Sequence, residues 1–324
     1  MSPPTDLKIP PSSYQTLPLK EITISHVPAS SATATKVVIL SFNRPHKFNA
    51  VTDTTLSEIE LAYSNFSIDP RVRAIILTGT GKAFCAGADL EVGFGGIASY
   101  KTNESTKQSY RDRGGQVALA ITRCVKPTIA AINGPAAGFG LTITLPATIR
   151  VASATAKVAM PFSRRGVVME SCAAFYLPRL VGLSKAMHIF TTGKTFPVTD
   201  PLVSELFSKI LPTPEDTLKY AVELATEIAE NTSLASTKLM RDMLLYGADT
   251  PEGAHLLDSR VFVELVGGRD NEEGVKSFME KRKAEFVDGA RGEEDIKKVV
   301  GGFWPWWDDK TENWDGGKRG LAKL

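Results

Sequence analysis

The sequence predicts an α/β core that gives way to a helical C-terminal part. Two patterns carry that prediction. Between about residues 37 and 160, short β-branched or apolar runs alternate with longer amphipathic stretches. From Ala173 onward, apolar residues recur almost entirely at helical spacing. Length and composition agree: 324 residues, 43% hydrophobic and 23% charged, suffice for a sizeable core.

Residues 1–20 hold five prolines and few large apolar groups, so they are expected to lack fixed structure. Val37–Phe42 reads as a strand. Thr52 or Asp53 caps a helix running to about Phe66, with Leu56, Ile59 and Tyr63 on one face. Residues 72–78 are nearly all β-branched or apolar, as in a strand buried on both faces. A Gly-rich loop at 93–96 precedes a helix over 103–124. Thr128–Ile132 is a strand, and a short helix starts near Gly138. Two short strands follow, at 149–152 and 158–160. Helices are then predicted over 214–230, 233–246, 251–266 and 272–286. This pattern alone leaves a doubly wound sheet open.

Two segments bear on function. Residues 74–90 read AIILTGTGKAFCAGADL and residues 133–142 read NGPAAGFGLT. In each, an apolar run ends in Gly and Ala, which lets main chain approach a ligand without a side chain between them. Two such turns can aim two backbone N–H groups at one oxygen. That is an oxyanion hole, useful where negative charge develops on a carbonyl.

Other classes find little support. The charge balance of 38 basic against 36 acidic residues does not suggest a nucleic-acid binder. Cys85, Cys124 and Cys172 lack CxxC spacing, and the four histidines form no HExxH, so no metal site is expected. No segment approaches the roughly 20 apolar residues of a membrane span, and the first residues show no basic-then-apolar secretory pattern. Gly79-Thr80-Gly81 lacks the third glycine of a dinucleotide fingerprint, position 84 being Phe. There is no P-loop and no GxSxG elbow. Cys85 has no readable base and is expected to pack as a small apolar side chain.

Four ordered segments resemble the crotonase (enoyl-CoA hydratase/isomerase) superfamily. They are Phe42-Asn43-Arg44-Pro45 with Lys47 and Asn49-Ala50; residues 83–90; residues 126–134; and Phe278-Met279-Glu280-Lys281-Arg282-Lys283. The resemblance spans about residues 20–286. It implies an α/β fold made of a crotonase-like spiral of ββα units, with a helical C-terminal region that makes trimers. The expected divisions are a core at 21–210, helices at 211–286 and an extension at 287–324. The implied substrate is an acyl-CoA thioester, with no separate cofactor. The implied assembly is a homotrimer or hexamer.

By the same resemblance, the oxyanion donors are the N–H groups of Ala88 and Phe139. Ala86, Gly87, Ala88, Asp89 and Leu90 would touch CoA, with Gly138 in the second turn. Lys47 is a phosphate contact and Arg44 a weaker one. Hydratases of the family carry two Glu residues; the aligned positions here are Thr142 and Phe162. Neither exchanges a proton at neutral pH, so ordinary hydratase chemistry is not expected. Glu170 matches the position where Δ3,Δ2-enoyl-CoA isomerases carry their catalytic Glu. An apolar setting from Phe162, Val168 and Met169 would raise its pKa. Arg164 and Arg165 lie between, and an arginine facing Glu170 would lower it.

The chain closes in Ala322-Lys323-Leu324, which resembles the Ser-Lys-Leu peroxisomal signal and implies an import receptor and a peroxisomal location. Three of four tryptophans cluster at 304, 306 and 307, where they are expected to cover a groove of their own domain or a neighbouring subunit. The alternatives to an isomerase are a specialised hydratase or acyl-CoA hydrolase of secondary metabolism, and a non-catalytic CoA-binding homologue.

Overall fold

The computed structural model describes residues 9–92, 97, 100–102 and 104–301, with only the backbone of Thr106. The loop at 93–96, the tryptophan cluster and the C-terminal tripeptide lie outside the described residues.

The chain enters through β1 (Ile22–Val27), which pairs antiparallel with β2 (Val37–Phe42) along its whole length. The segment before β1, expected to be loose, is tied down from Pro11 onward. Tyr14 is buried and donates to Asp69 at 3.0 Å, while Arg71 reaches the carbonyls of Pro11 and Ser12. Buried Glu58 accepts from the backbone N–H groups of Lys20, Glu21 and Ile22, which fixes the start of β1. Glu58 lies on α1 (Asp53–Ile68), whose N-terminus is closed by a reciprocal Thr52–Thr55 cap.

Strand β3 (Ala74–Gly79) lies parallel to β2 and is buried throughout, as its composition requires. The single helix expected over 103–124 is instead two, α2 (Glu104–Ser109) and α3 (Arg113–Arg123). Asp112 causes the break, because its carboxylate caps α3 by accepting from Gly115 N–H. Next come β4 (Thr128–Ile132), β5 (Ala136–Ala137), α4 (Phe139–Thr142), β6 (Ile149–Ser153) and β7 (Lys157–Ala159). Helices α5 (Ala173–Val181) and α6 (Leu183–Thr192) follow, then β8 (Thr195–Pro197) and β9 (Lys209–Leu211). These last strands interrupt the helical run expected after Ala173; at three residues each, they are too short to show period-two alternation. Four helices follow: α7 (Pro214–Asn231), α8 (Leu234–Tyr246), α9 (Pro251–Leu265) and α10 (Arg269–Glu280). The last of these, expected over 272–286, stops where Lys281 turns left-handed. Beyond it, α11 (Glu293–Val299) buries Ile296, with Val300 just past its end.

The main sheet runs β1-β2-β3-β4-β6-β9, parallel except at β1. The second sheet is β5-β7-β8. Alternation along the main sheet splits its side chains between two cores. Val38, Leu40, Ile75, Leu77, Ala130 and Ile132 enter the larger one. Val37, Ala74, Ile76, Ile129, Ala131 and Val151 face α7, which offers Ala221, Ala225 and Ala229 at four-residue spacing. Small residues there let the helix axis approach the sheet. Replacing fully buried Ala225 with Leu overpacks that contact and should lower stability by about 1–3 kcal/mol in urea unfolding. A variant as stable as wild type would mean the helix does not seat on the sheet in this way.

Candidate active site

The first Gly/Ala turn follows β3. Two buried asparagines shape it. The Asn49 amide donates to the carbonyls of Thr80, Ala83 and Phe84 at 2.8–3.2 Å, and its oxygen accepts from Arg44 N–H. Asn133 accepts from Gly79 N–H at 3.2 Å and donates to the Gly81 carbonyl at 3.0 Å. The next residues then run extended beside Val51, which accepts from Asp89 N–H and donates to the Gly87 carbonyl. Ala86, Ala88 and Leu90 therefore face outward while Gly87 and Asp89 face inward.

The second turn meets the first through main chain. Ala137 N–H donates to the Cys85 carbonyl at 3.0 Å, and the N–H groups of Phe84 and Cys85 share the Pro135 carbonyl. Gly87 has φ +95°, and a Cβ there would lie 2.6 Å from the Ala137 carbonyl oxygen and 3.6 Å from Phe139 N. Only glycine fits. Gly138 supplies another positive φ, and α4 starts at Phe139. Neither Ala88 N–H nor Phe139 N–H donates to another protein atom among the described residues. Phe139 itself is buried in the larger core, so only its main chain turns toward this space.

Glu170 comes to the far end of the same short helix. Its Oε1 accepts from Thr142 Oγ1 at 2.6 Å, and its Oε2 accepts from the Ser171 hydroxyl. Ser171 N–H is held in turn by Asp112, the cap of α3. Ser171 and Cys172 both take left-handed backbone at φ +56°, uncommon for residues with a Cβ. The carboxylate rests against the first turn of α3, where Gly114 makes room. A Cβ on Gly114 would fall 1.7 Å from Oε2. Burial pushes the Glu170 carboxyl above its usual range. The bonds from Ser171 and Thr142 oppose that rise, and the charge of Asp112 adds to it.

The burial differs in part from the one expected. Val168 is 82% exposed, whereas Phe162 and Met169 are half-buried against the larger core, and contacts from α3 and α4 enclose the carboxylate. The two arginines turn elsewhere: Arg164 donates to the Thr192 carbonyl, and Arg165 is exposed. Arg44, read as a weak phosphate contact, is committed to Asp89 at 3.0 Å, to Glu21 and to the Ala50 carbonyl. Lys47 pairs with Glu91 on the surface beside exposed Leu90. Cys85 is fully buried, and burial pushes its thiol up to about 12, which suits packing and not nucleophilic attack. Among the described residues no group of three or more His, Cys, Asp and Glu could hold a metal ion. No described helix is long and apolar enough to cross a membrane.

Sequence reading missed Asp112, Ser171 and Gly114. Asp112 carried a signal, since an Asp before Arg-Gly-Gly is a helix start. The other two gain their roles only through contacts with Glu170.

Comparison with known proteins identifies the family. The family model for enoyl-CoA hydratase/isomerase matches residues 32–289. Enoyl-CoA hydratase AFT3-1 of Alternaria alternata is 44% identical over 255 residues, covering 79% of this chain and 84% of that protein. Mevalonyl-coenzyme A hydratase sidH of Aspergillus fumigatus is 32% identical, covering 77% and 91%. The crystal structure of enoyl-CoA hydratase from Bacillus anthracis superposes with a TM-score of 0.70 at 25% identity, covering 83% of this chain and 99% of that one. The α/β crotonase fold implied by the sequence is thus the fold of this protein. Interlocked Gly/Ala turns, two free main-chain donors and a match over most of the chain lead to one conclusion: the chain belongs to the enoyl-CoA hydratase/isomerase family.

Proposed function

We propose that this protein is a Δ3,Δ2-enoyl-CoA isomerase in which Glu170 moves the proton. The observation that carries this reading is the 2.6 Å bond from Thr142 to Glu170. It places a buried carboxylate at one end of α4 while the N–H of Phe139 opens the other end. Glu170 takes a proton from C2 of a 3-enoyl-CoA. The C–H electron pair moves into a C1=C2 bond, and the thioester oxygen becomes anionic. The N–H groups of Ala88 and Phe139 stabilise that oxygen, each by a few kcal/mol on the usual scale. The C3=C4 pair then takes the proton back from Glu170 at C4, the double bond settles at C2=C3, and the carbonyl reforms. One carboxylate suffices because the two transfers occur in sequence. The CoA part would lie along Ala86, Ala88 and Leu90, with Lys47 near a phosphate. No further cofactor is needed.

The names of the relatives favour a second reading, hydration of a 2-enoyl-CoA. Against it stand Thr142 and Phe162, where a hydratase would carry its two carboxylates. Exposed Met240, Phe262, Phe278 and Met279, around a groove of about 900 Å³ on the C-terminal helices, support a homotrimer or hexamer. The terminal Ala322-Lys323-Leu324 supports a peroxisomal address read by an import receptor.

Spectrophotometric assays of 3-enoyl-CoA isomerisation and 2-enoyl-CoA hydration separate the readings. Glu170→Gln should keep CoA binding and lose about 100- to 10,000-fold in isomerase kcat. Wild-type protein that hydrates but does not isomerise would remove the isomerase assignment. Inactivity on both, with CoA ester still bound, would favour a binding homologue.

Glu170 should also leave a mark on stability. Its raised folded-state pKa means the folded protein binds more protons than the unfolded chain above the ordinary Glu range of about 4.3. Stability therefore falls as pH rises through that window and stays lowered above it. Glu170→Gln should melt above wild type at about pH 8 and lose the advantage by about pH 4. A constant difference across that range would mean the carboxyl titrates normally.

A fluorescent fusion that keeps the free C-terminus should be punctate with a peroxisomal marker, and deletion of residues 322–324 should make it diffuse. A diffuse full-length fusion would argue against import by this signal.

A further inference from the structure

We infer that Thr142 is a positioning residue whose hydroxyl changes partner as the proton arrives at Glu170, with Oε1 the oxygen that carries it. This rests on the proton-shuttle role of Glu170.

The two carboxylate oxygens are not equivalent. Oε2 lies against α3, where a single added carbon on Gly114 would collide with it, and is bonded by Ser171. Oε1 lies on the side of α4, whose first N–H is the proposed oxyanion donor. Substrate held by that donor would meet Oε1.

Thr142 is fully buried and has one hydroxyl hydrogen for two acceptors. One is Glu170 Oε1 at 2.6 Å, and the other is the Phe139 carbonyl at 3.3 Å. That carbonyl already accepts from Ile143 N–H at 2.9 Å, which leaves it a second lone pair. While Glu170 is charged, the short charge-assisted bond wins. Once Oε1 is protonated, it no longer attracts the hydrogen. The hydroxyl can then donate to the Phe139 carbonyl and accept from Glu170 O–H. Neither state leaves a buried polar hydrogen unpaired, so both sit in the same pocket at little cost. A back-bond to residue i−3 is ordinary for a helical threonine. The contact to Glu170, 28 residues away, is not.

The other groups facing Glu170 do not compete for this role. Tyr110 precedes α3, Cys85 comes from the first turn, and Cys172 lies on the segment of Glu170 itself. Burial raises all three, so they stay neutral while Glu170 titrates. Asp112, the remaining neighbour, spends Oδ1 on the N–H groups of Gly115 and Ser171.

The test is Thr142→Val, which keeps the branched shape and removes the hydroxyl. Losing a donor to the charged form should move the acid limb of kcat/KM to higher pH. At the plateau, kcat should drop about 10- to 100-fold with KM little changed. Thr142→Ser should restore the limb and most of the rate. Titration of the Glu170 carboxyl carbon by NMR, assigned against Glu170→Gln, should move in the same direction in Thr142→Val and in Thr142→Ala. An unmoved limb and titration in variants that merely melt lower would overturn the inference. If wild-type protein does not isomerise, the proposed function falls separately. The carboxyl titration then decides the Thr142–Glu170 link alone.

Discussion

The site depends on main chain meeting main chain. Between residues 83–88 and 134–140, backbone carbonyls and N–H groups bond directly, with no side chains between them. A Cβ on Gly140 would fall 2.0 Å from the Cys85 carbonyl oxygen, and one on Gly87 would strike Ala137. This approach brings two unpaired N–H groups from separate turns into one space. Because both donors are backbone, their aim is set by the fold and not by a rotamer. Asn49 and Asn133 keep the first turn in place, each acting as several backbone hydrogen bonds would.

The scaffold builds two features from separate segments. The turns fix the unpaired N–H groups of Ala88 and Phe139, and a later segment supplies the buried carboxylate of Glu170. In hydratases of the resembling family the carboxylate would project from the place of Thr142. Here that position gives a hydroxyl instead, and the carboxylate arrives from residue 170. The hydroxyl and the carboxylate meet at 2.6 Å, so the residue at that position and Glu170 belong to the same local arrangement. Burial, with no cation among the described residues that face it, leaves Glu170 a stronger base than a surface glutamate.

Much of the fold was legible because local chemistry and tertiary structure agree. β2 and β4 are apolar, partly β-branched runs of the length found, and Thr52 caps α1 where a cap was expected. β1 went unread although Ile22 and Ile24 alternate inward, because buried His26 stands where a third apolar residue would sit. The free N–H pair was legible from glycine and alanine, since those residues mark close approach. The neighbours of Glu170 were not. Ser171 and Gly114 are unremarkable in sequence, and contacts spanning 28 or 59 residues leave no periodic trace. The pairing of charges was not legible either: a Lys or Arg in sequence looks free until its carboxylate, here Glu91 or Asp89, is brought beside it.

The left-handed backbone at Ser171 has an evolutionary consequence. Glycine would adopt that conformation with less strain, typically by about 1 kcal/mol or more. It would also delete the hydroxyl that holds Oε2. Under the role proposed for Glu170, selection for a sturdier fold and selection for turnover pull this position in opposite directions. A lineage released from its enzymatic duty would be free to drift to glycine here.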